Sequence, residues 1–143
     1  MISQKSQYAL RALLALARAN PGEPLRISTI AAFEKIPKKF LEQILLDLKR
    51  AGLVSSRRGQ QGGYLLQKPA SEIAVGAVLR VTESAVAPLA CLSHARRCED
   101  CEEDSMCAVR RVFARVAMAS NEILDGTTLA DILPGGGILE RPA

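Results

Sequence analysis

Three stretches of the 143-residue chain carry apolar residues at helical spacing, and the period then changes abruptly. That order of periods constrains the fold more than any other feature. Residues 6–18 (SQYALRALLALAR) place Leu10, Leu13, Leu14 and Ala17 at i, i+3, i+4 and i+7 of a helix. Ala and Leu favour helix, and Asn20-Pro21-Gly22 stops the run. A second, shorter helix is predicted over about 27–34, with Ile27, Ile30 and Ala31 inward. A third runs from Lys38 to about Ala51, started by Pro37 and ended by Gly52. Its apolar stripe is Leu41, Ile44, Leu45 and Leu48; the opposite face carries Lys38, Lys39, Glu42, Gln43, Asp47, Lys49 and Arg50. Leu53 to Arg58 then reads as a short extended segment. Gly59-Gln60-Gln61-Gly62-Gly63 reads as a flexible turn, and Tyr64-Leu65-Leu66 as a second strand ended by Pro69. Three helices followed by a hairpin predict a mainly α fold with a small β-hairpin wing, a winged helix-turn-helix.

Length and composition narrow the class. The chain has the size of one domain, and with no Trp and 3% aromatics its core must be aliphatic. The longest apolar stretch, Tyr8 to Ala17, is interrupted by Arg11 and is too short to span a bilayer. The N-terminus lacks the charged, apolar and cleavage regions of a secretory signal. The expectation is a soluble cytoplasmic protein with no membrane partner. The net charge of +4 hides an asymmetry. Residues 1–70 hold twelve Lys and Arg against four Asp and Glu, a net of +8; residues 71–143 hold seven against eleven, a net of −4. A basic half beside an acidic half predicts one polyanion-binding surface and one part with another task.

The basic half suits double-stranded DNA. A helix of this length fits the major groove, and its first exposed turn reaches base edges. Lys38 and Lys39 occupy that turn, where a helix dipole favours acids, so a phosphate or base opposite them would offset the local cost. Arg57 and Arg58 lie at the wing base, and the wing glycines would let its backbone approach a groove closely.

All four cysteines fall in the acidic half, as Cys91-x6-Cys98-x2-Cys101-x5-Cys107. Without an export signal, such clustering points to metal or redox chemistry rather than a disulfide framework. Thiolates suit Zn²⁺ and iron–sulfur clusters equally, and Cys98 with Cys101 would also serve as a dithiol switch. Arg96 and Arg97 beside Cys98 favour the thiolate; Glu99, Asp100, Glu102, Glu103 and Asp104 oppose it. An oxidoreductase would need a thioredoxin-like βαβ context, which is missing, so the chain is not expected to be an enzyme. Residues 106–125 read as one long helix with Val109, Val112, Phe113, Val116, Ile123 and Leu124 in a stripe and Arg110, Arg111 and Arg115 outside. That stripe calls for a partner, and an isologous homodimer is expected. Thr128 to Asp131 forms a capping box for a last short helix. The organisation is a winged helix-turn-helix over 1–83, a cysteine-rich loop and dimerisation helix over 84–133, and a mobile tail over 134–143.

The stretch from Ile36 to Leu66, with LEQIL, RRG and GGY, resembles the DNA-binding core of Rrf-two type transcription regulators, which include IscR-, NsrR- and CymR-like members. SQYALRALLALA, SEIAVGAVLRVTE and LDGTTLADIL resemble the family's first helix, post-wing segment and closing turn, so the likeness covers about residues 1–133. It implies a homodimeric regulator, in the main a repressor, on a palindromic operator. Lys38, Lys39, Glu42 and Gln43 match the positions at base edges, and Arg58 matches the wing arginine of the minor groove. Arg57 would contact phosphate, and Gly62 belongs to the wing that approaches the DNA. The resemblance favours an iron–sulfur cluster, 2Fe–2S or 4Fe–4S, that senses iron, redox or nitrosative state; zinc or a dithiol is the alternative. IscR-like members have three cysteines, matched by Cys91, Cys101 and Cys107, and a His where this chain has Arg110. NsrR-like members use an Asp near the N-terminus where this chain has Tyr8. The additional Cys98 makes an all-cysteine set of Cys91, Cys98, Cys101 and Cys107 the simplest assignment, with His94 as an alternative ligand.

Glu42 stands out among the base-edge positions, because a carboxylate accepts from cytosine N4 but repels phosphate. Glu42→Ala is expected to broaden the set of duplexes bound; an unchanged preference in a site-selection assay would refute that role.

Overall fold

The computed structural model describes residues 2–19, 21–83, 92 and 107–134. Cys91, Cys98 and Cys101, with His94 and the surrounding charges, lie outside the described residues, as does the tail from 135 onward. The order is α1 (Gln4–Arg18), α2 (Ile27–Glu34), α3 (Lys38–Arg50), β1 (Val54–Arg57), β2 (Gly63–Leu66), a 3₁₀ turn (Ala70–Glu72), α4 (Val75–Thr82), α5 (Ala108–Gly126) and α6 (Leu129–Ile132). Among the described residues the fold is mainly helical with one two-stranded antiparallel hairpin, as the change of period predicts.

Helix α1 begins two residues before the predicted start because Ser3 caps it, its hydroxyl accepting from the Ser6 N–H at 3.2 Å. Its deepest line also differs from the predicted stripe. Ala9, Ala12 and Leu13 are fully buried, whereas Leu10 and Leu14 are only partly so. SQYALRALLALAR is apolar on most of its circumference, so spacing alone leaves the inward direction open. The small alanine side chains let α1 lie close against α3 and α4. In α3 the predicted stripe holds: Leu41, Ile44, Leu45 and Leu48 are all at 0% exposure. The helix ends in a Schellman arrangement, with Leu53 N–H donating to Leu48 O at 3.0 Å, Gly52 N–H to Lys49 O at 3.0 Å, and Gly52 at φ 77°.

The hairpin pairs Val54 with Leu66 and Arg57 with Gly63, so β1 is one residue shorter at each end than expected and β2 starts one earlier. The wing does not stand alone. Leu25 and Tyr64 exchange backbone hydrogen bonds at 2.8 and 2.7 Å, tying β2 to the entry of α2.

After α5 the chain returns to the winged unit. Val75 N–H donates to Thr127 O at 2.8 Å and Leu129 N–H to Ile73 O at 2.9 Å. The predicted capping box forms, Thr128 and Asp131 each binding the other's backbone. Leu129 is fully buried in the same core as Leu13, Leu41 and Ile73. Helix α5 buries none of its side chains among the described residues. No helix there is long and apolar enough to cross a membrane.

Glu83, at the end of α4, is anchored to the first turn of α1. Its Oε1 accepts from Ser3 N–H and Ser6 Oγ, both at 2.6 Å, and Ser6 Oγ lies 2.6 Å from Thr82 Oγ1. The bond from Ser6, then that from Ser3, hold the Glu83 carboxyl below the usual glutamate range. A carboxylate with a lowered folded pKa contributes stability above its unfolded pKa and loses it as pH falls through the folded value. Glu83→Gln is therefore expected to cost about 1–2 kcal/mol at pH 7, near the low end for hydrogen bonds to a charged group because the site is partly exposed. Thermal unfolding of both proteins should converge as the pH is lowered through the acid range; a constant gap would show that the charge is not responsible.

Candidate nucleic-acid interface

Burial of one face of α3 decides what the other face presents. With Leu41, Ile44, Leu45 and Leu48 inward, Lys38, Lys39, Glu42 and Gln43 are all exposed. No acid occupies the first turn of α3, so its two lysines meet the positive helix end uncompensated. Lys38, Lys39 and Arg58 have no carboxylate partner among the described residues. Gln43 differs, since its amide donates to Asp47 on the same helix at 3.0 Å.

The wing brings further cations to this face. A groove between the start of α2, the start of α3 and the hairpin is lined by Arg26, Lys38, Glu42, Arg57 and Arg58. Three contacts hold the wing over it. Arg57 Nη1 donates to Gly22 O at 3.2 Å, Lys49 Nζ to Ser56 Oγ at 2.6 Å, and Arg26 to the carbonyl of Gln60 in the wing turn. Arg57 is thus tethered, while Arg58 is exposed.

Gly62 is placed differently from the other predicted contacts. It is buried, and a Cβ there would overlap the backbone carbonyl of Arg57. At Gly63 a Cβ would overlap the carbonyl of Leu25. The glycines let the wing close on itself and on α2, so the protein's own backbone already requires them.

Two exposed residues escaped the sequence reading. Arg26 precedes α2 and reaches the wing turn; a lone cation before a short helix was its only signal. Leu46 is 37% exposed on the outward face of α3, beside the polar residues. It falls outside the apolar stripe, which was its signal, and an apolar side chain there suits a thymine methyl.

Of the four cysteines only Cys107 is described. It is partly buried, and it is the N-cap of α5 rather than part of the helix, its Sγ accepting from the Arg110 N–H at 3.4 Å. Arg110, expected on the outside, is partly buried, while Arg111 and Arg115 are exposed. Among the described residues no three His, Cys, Asp or Glu come together as a metal site. Most of the predicted stripe of α5 is uncovered: Val109, Val112, Phe113, Val116 and Ile123 are exposed, with Met118, while Leu124 is partly buried. Its last turn is fastened to α4, where Arg80 Nη2 contacts both Asp125 carboxylate oxygens at 2.6 Å.

A sequence model of the Rrf2 family, described as an iron-dependent transcriptional regulator, matches residues 2–135. The chain belongs to the Rrf2 family of transcriptional regulators. It is 43% identical over 141 residues to an rrf2-like HTH-type transcriptional regulator of Rhodobacter capsulatus, covering 95% of this chain and 94% of that one. Among solved structures it is similar to CymR, the global cysteine regulator of B. subtilis, with TM-score 0.74 and 34% identity over 90% of this chain and 92% of that one. It is also similar to IscR of T. potens, with TM-score 0.76 and 29% identity over 100% of this chain and 93% of that one. The Rrf2 chain is therefore a DNA-binding transcription regulator, and its relatives are named as regulators rather than enzymes.

Gly62→Ala should destabilise this Rrf2 protein by about 1–3 kcal/mol, because the added methyl meets backbone that cannot give way. Urea unfolding measures the loss. Unchanged stability would free Gly62 for a role at the DNA instead.

Proposed function

We propose that this regulator is a homodimeric repressor that binds a palindromic operator and responds to iron, redox or nitrosative state through cysteine ligation. The observation that carries the proposal is the placement of α5. This helix begins at Cys107, leaves an apolar stripe uncovered, and is fastened to the winged unit at its far end by Arg80 and Asp125. A second copy of the same stripe would cover it isologously. Lys38, Lys39, Glu42 and Gln43 would face base edges in the major groove. Arg58 would enter the minor groove, Arg57 would steady the wing near phosphate, and Gly62 would shape the wing's approach.

The proposed division is a winged unit over 1–83, a sensing and dimerising segment over 84–133, and a tail over 134–143. Leu129 adds a physical link, since it anchors the end of the second segment in the core of the first.

Cys91, Cys98, Cys101 and Cys107 are the proposed ligands, and Cys107 fits the part: it is a partly exposed thiol at the start of α5. When bound, an iron–sulfur cluster supplies ligation sensitive to iron supply, oxidant and nitric oxide. The chain's own residues convert that state into geometry. With Cys107 as a ligand, the first turn of α5 would be held, and the Arg80–Asp125 pair would carry the tilt of α5 to α4. Half-sites lie about 34 Å apart, one turn of DNA, so a small change of tilt alters how both winged units fit. The family's description as iron-dependent supports a cluster; four thiols support zinc equally on chemistry.

Anaerobically purified protein should contain iron and sulfide, and Cys107→Ser should lose both. Stoichiometric zinc without sulfide would replace the cluster by a structural metal, and neither would leave the dithiol. Val112→Asp with Phe113→Asp should yield monomers in sedimentation and weaken operator binding at least about tenfold by disrupting the apolar stripe. Variants that remain dimeric would refute the proposed interface.

A further inference from the structure

Gln43 and Asp47 stand one turn apart on α3, and two further cations hold Asp47 in place. Gln43 Nε2 donates to Asp47 Oδ1 at 3.0 Å. The other oxygen, Oδ2, accepts from Lys5 Nζ of α1 at 2.9 Å. Arg50 Nη1 lies 3.9 Å from Oδ1. The Asp47 side chain is only 21% exposed, turned toward α1 rather than presented at the reading face. The hydrogen bond from Lys5, then that from Gln43, hold its carboxyl below the usual aspartate range, so it is ionised at neutral pH.

An ionised carboxylate has no proton to donate and can only accept. It therefore decides which end of the Gln43 amide faces it. The NH₂ turns to Asp47, and Oε1 turns away. One N–H is committed to the carboxylate; the second N–H and Oε1 remain for a base. An amide offering one acceptor beside one donor is what pairs with adenine, accepting from N6 and donating to N7. Unbraced, a glutamine presents its amide either way round, and the preference is lost. A carboxylate on a DNA-facing helix also repels phosphate, and Lys5 offsets that charge from α1.

We infer that Asp47, braced by Lys5, is a positioning residue that fixes the Gln43 amide as a reader of one adenine in each operator half-site. The inference rests on the proposed placement of Gln43 at base edges and adds the base it reads and the reason.

Selection from randomised duplexes with the full-length protein tests it, with thermal unfolding of each variant as a check on folding. The wild type should enrich A·T at one position per half-site, and Gln43→Ala should erase that enrichment. Asp47→Asn should lower it at least about fivefold, the lower end of what a bidentate base contact contributes. Its side-chain amide both donates and accepts, so it no longer dictates the orientation of Gln43. Asp47→Ser, which also removes the carboxylate, serves if Asp47→Asn does not fold, and Lys5→Met should reduce the enrichment partly. A purely structural Asp47 would weaken binding to all duplexes alike without moving one position. Full A·T enrichment in the Asp47 variants, with its loss in Gln43→Ala, overturns the inference while leaving Gln43 as a base reader. A Gln43-dependent position occupied by G·C overturns it as well. No change in Gln43→Ala removes the base-reading assignment itself, and the inference with it.

Discussion

Complete burial of Leu41, Ile44, Leu45 and Leu48 against the rest of the helical unit is the constraint on which the polar face of α3, the proposed DNA-facing surface, depends. Each fully buried aliphatic side chain contributes about 1.5–3 kcal/mol, so rotating α3 about its axis would forfeit several such contributions at once. The rotation of the helix is thereby set, and with it the outward direction of Lys38, Lys39, Glu42, Gln43 and Leu46. The polar face is a consequence of the apolar one. Contacts at its edges then refine it: Lys5 reaches Asp47 from α1, and Arg26 reaches the wing turn from the start of α2.

The second organising contact is the return of the chain after α5. Backbone hydrogen bonds from Val75 to Thr127 and from Leu129 to Ile73 place a fully buried leucine from the C-terminal segment beneath α1 and the 3₁₀ turn. This roots α5 by its last turn and leaves its apolar stripe outside the core. A helix fixed at one end, with a thiol at the other, is suited to carry a change in the cysteine segment to the winged unit. Arg80 and Asp125 fasten that last turn to α4, and in the proposed function a change at the cysteines would reach the winged unit there.

Legibility in the sequence differed from element to element for physical reasons. Helix α3 was readable because its polar and apolar residues segregate cleanly. Helix α1 was readable as a helix, but its inward line was not, because leucines and alanines surround most of it and packing alone chooses among them. Helix α4, VGAVLRVT, gave no helical signal beyond a family likeness: Gly76 and the β-branched residues argue against helix, and burial of Val78 and Leu79 overrides them. The wing glycines were legible as a turn, but not their reason. Gly62 and Gly63 answer to carbonyls of Arg57 and Leu25, and the second of these is distant in the sequence.

The sequence by itself determined the first three helices, the wing, the long helix after the cysteines, the capping box at Thr128, the charge division and the grouping of the thiols along the chain, because each depends on neighbours along the chain or on residue type. Tertiary structure decided the rest: which line of α1 faces inward, the docking of Leu129, the tether of the wing to Leu25 and Arg26, and the bracing of Asp47 by Lys5. These depend on contacts between residues far apart in the chain, and no local periodicity encodes such a distance. The Asp47 carboxylate is the clearest case: its bond to Gln43 is local, four residues along α3, but the cation that holds it comes from Lys5 of α1, 42 residues away.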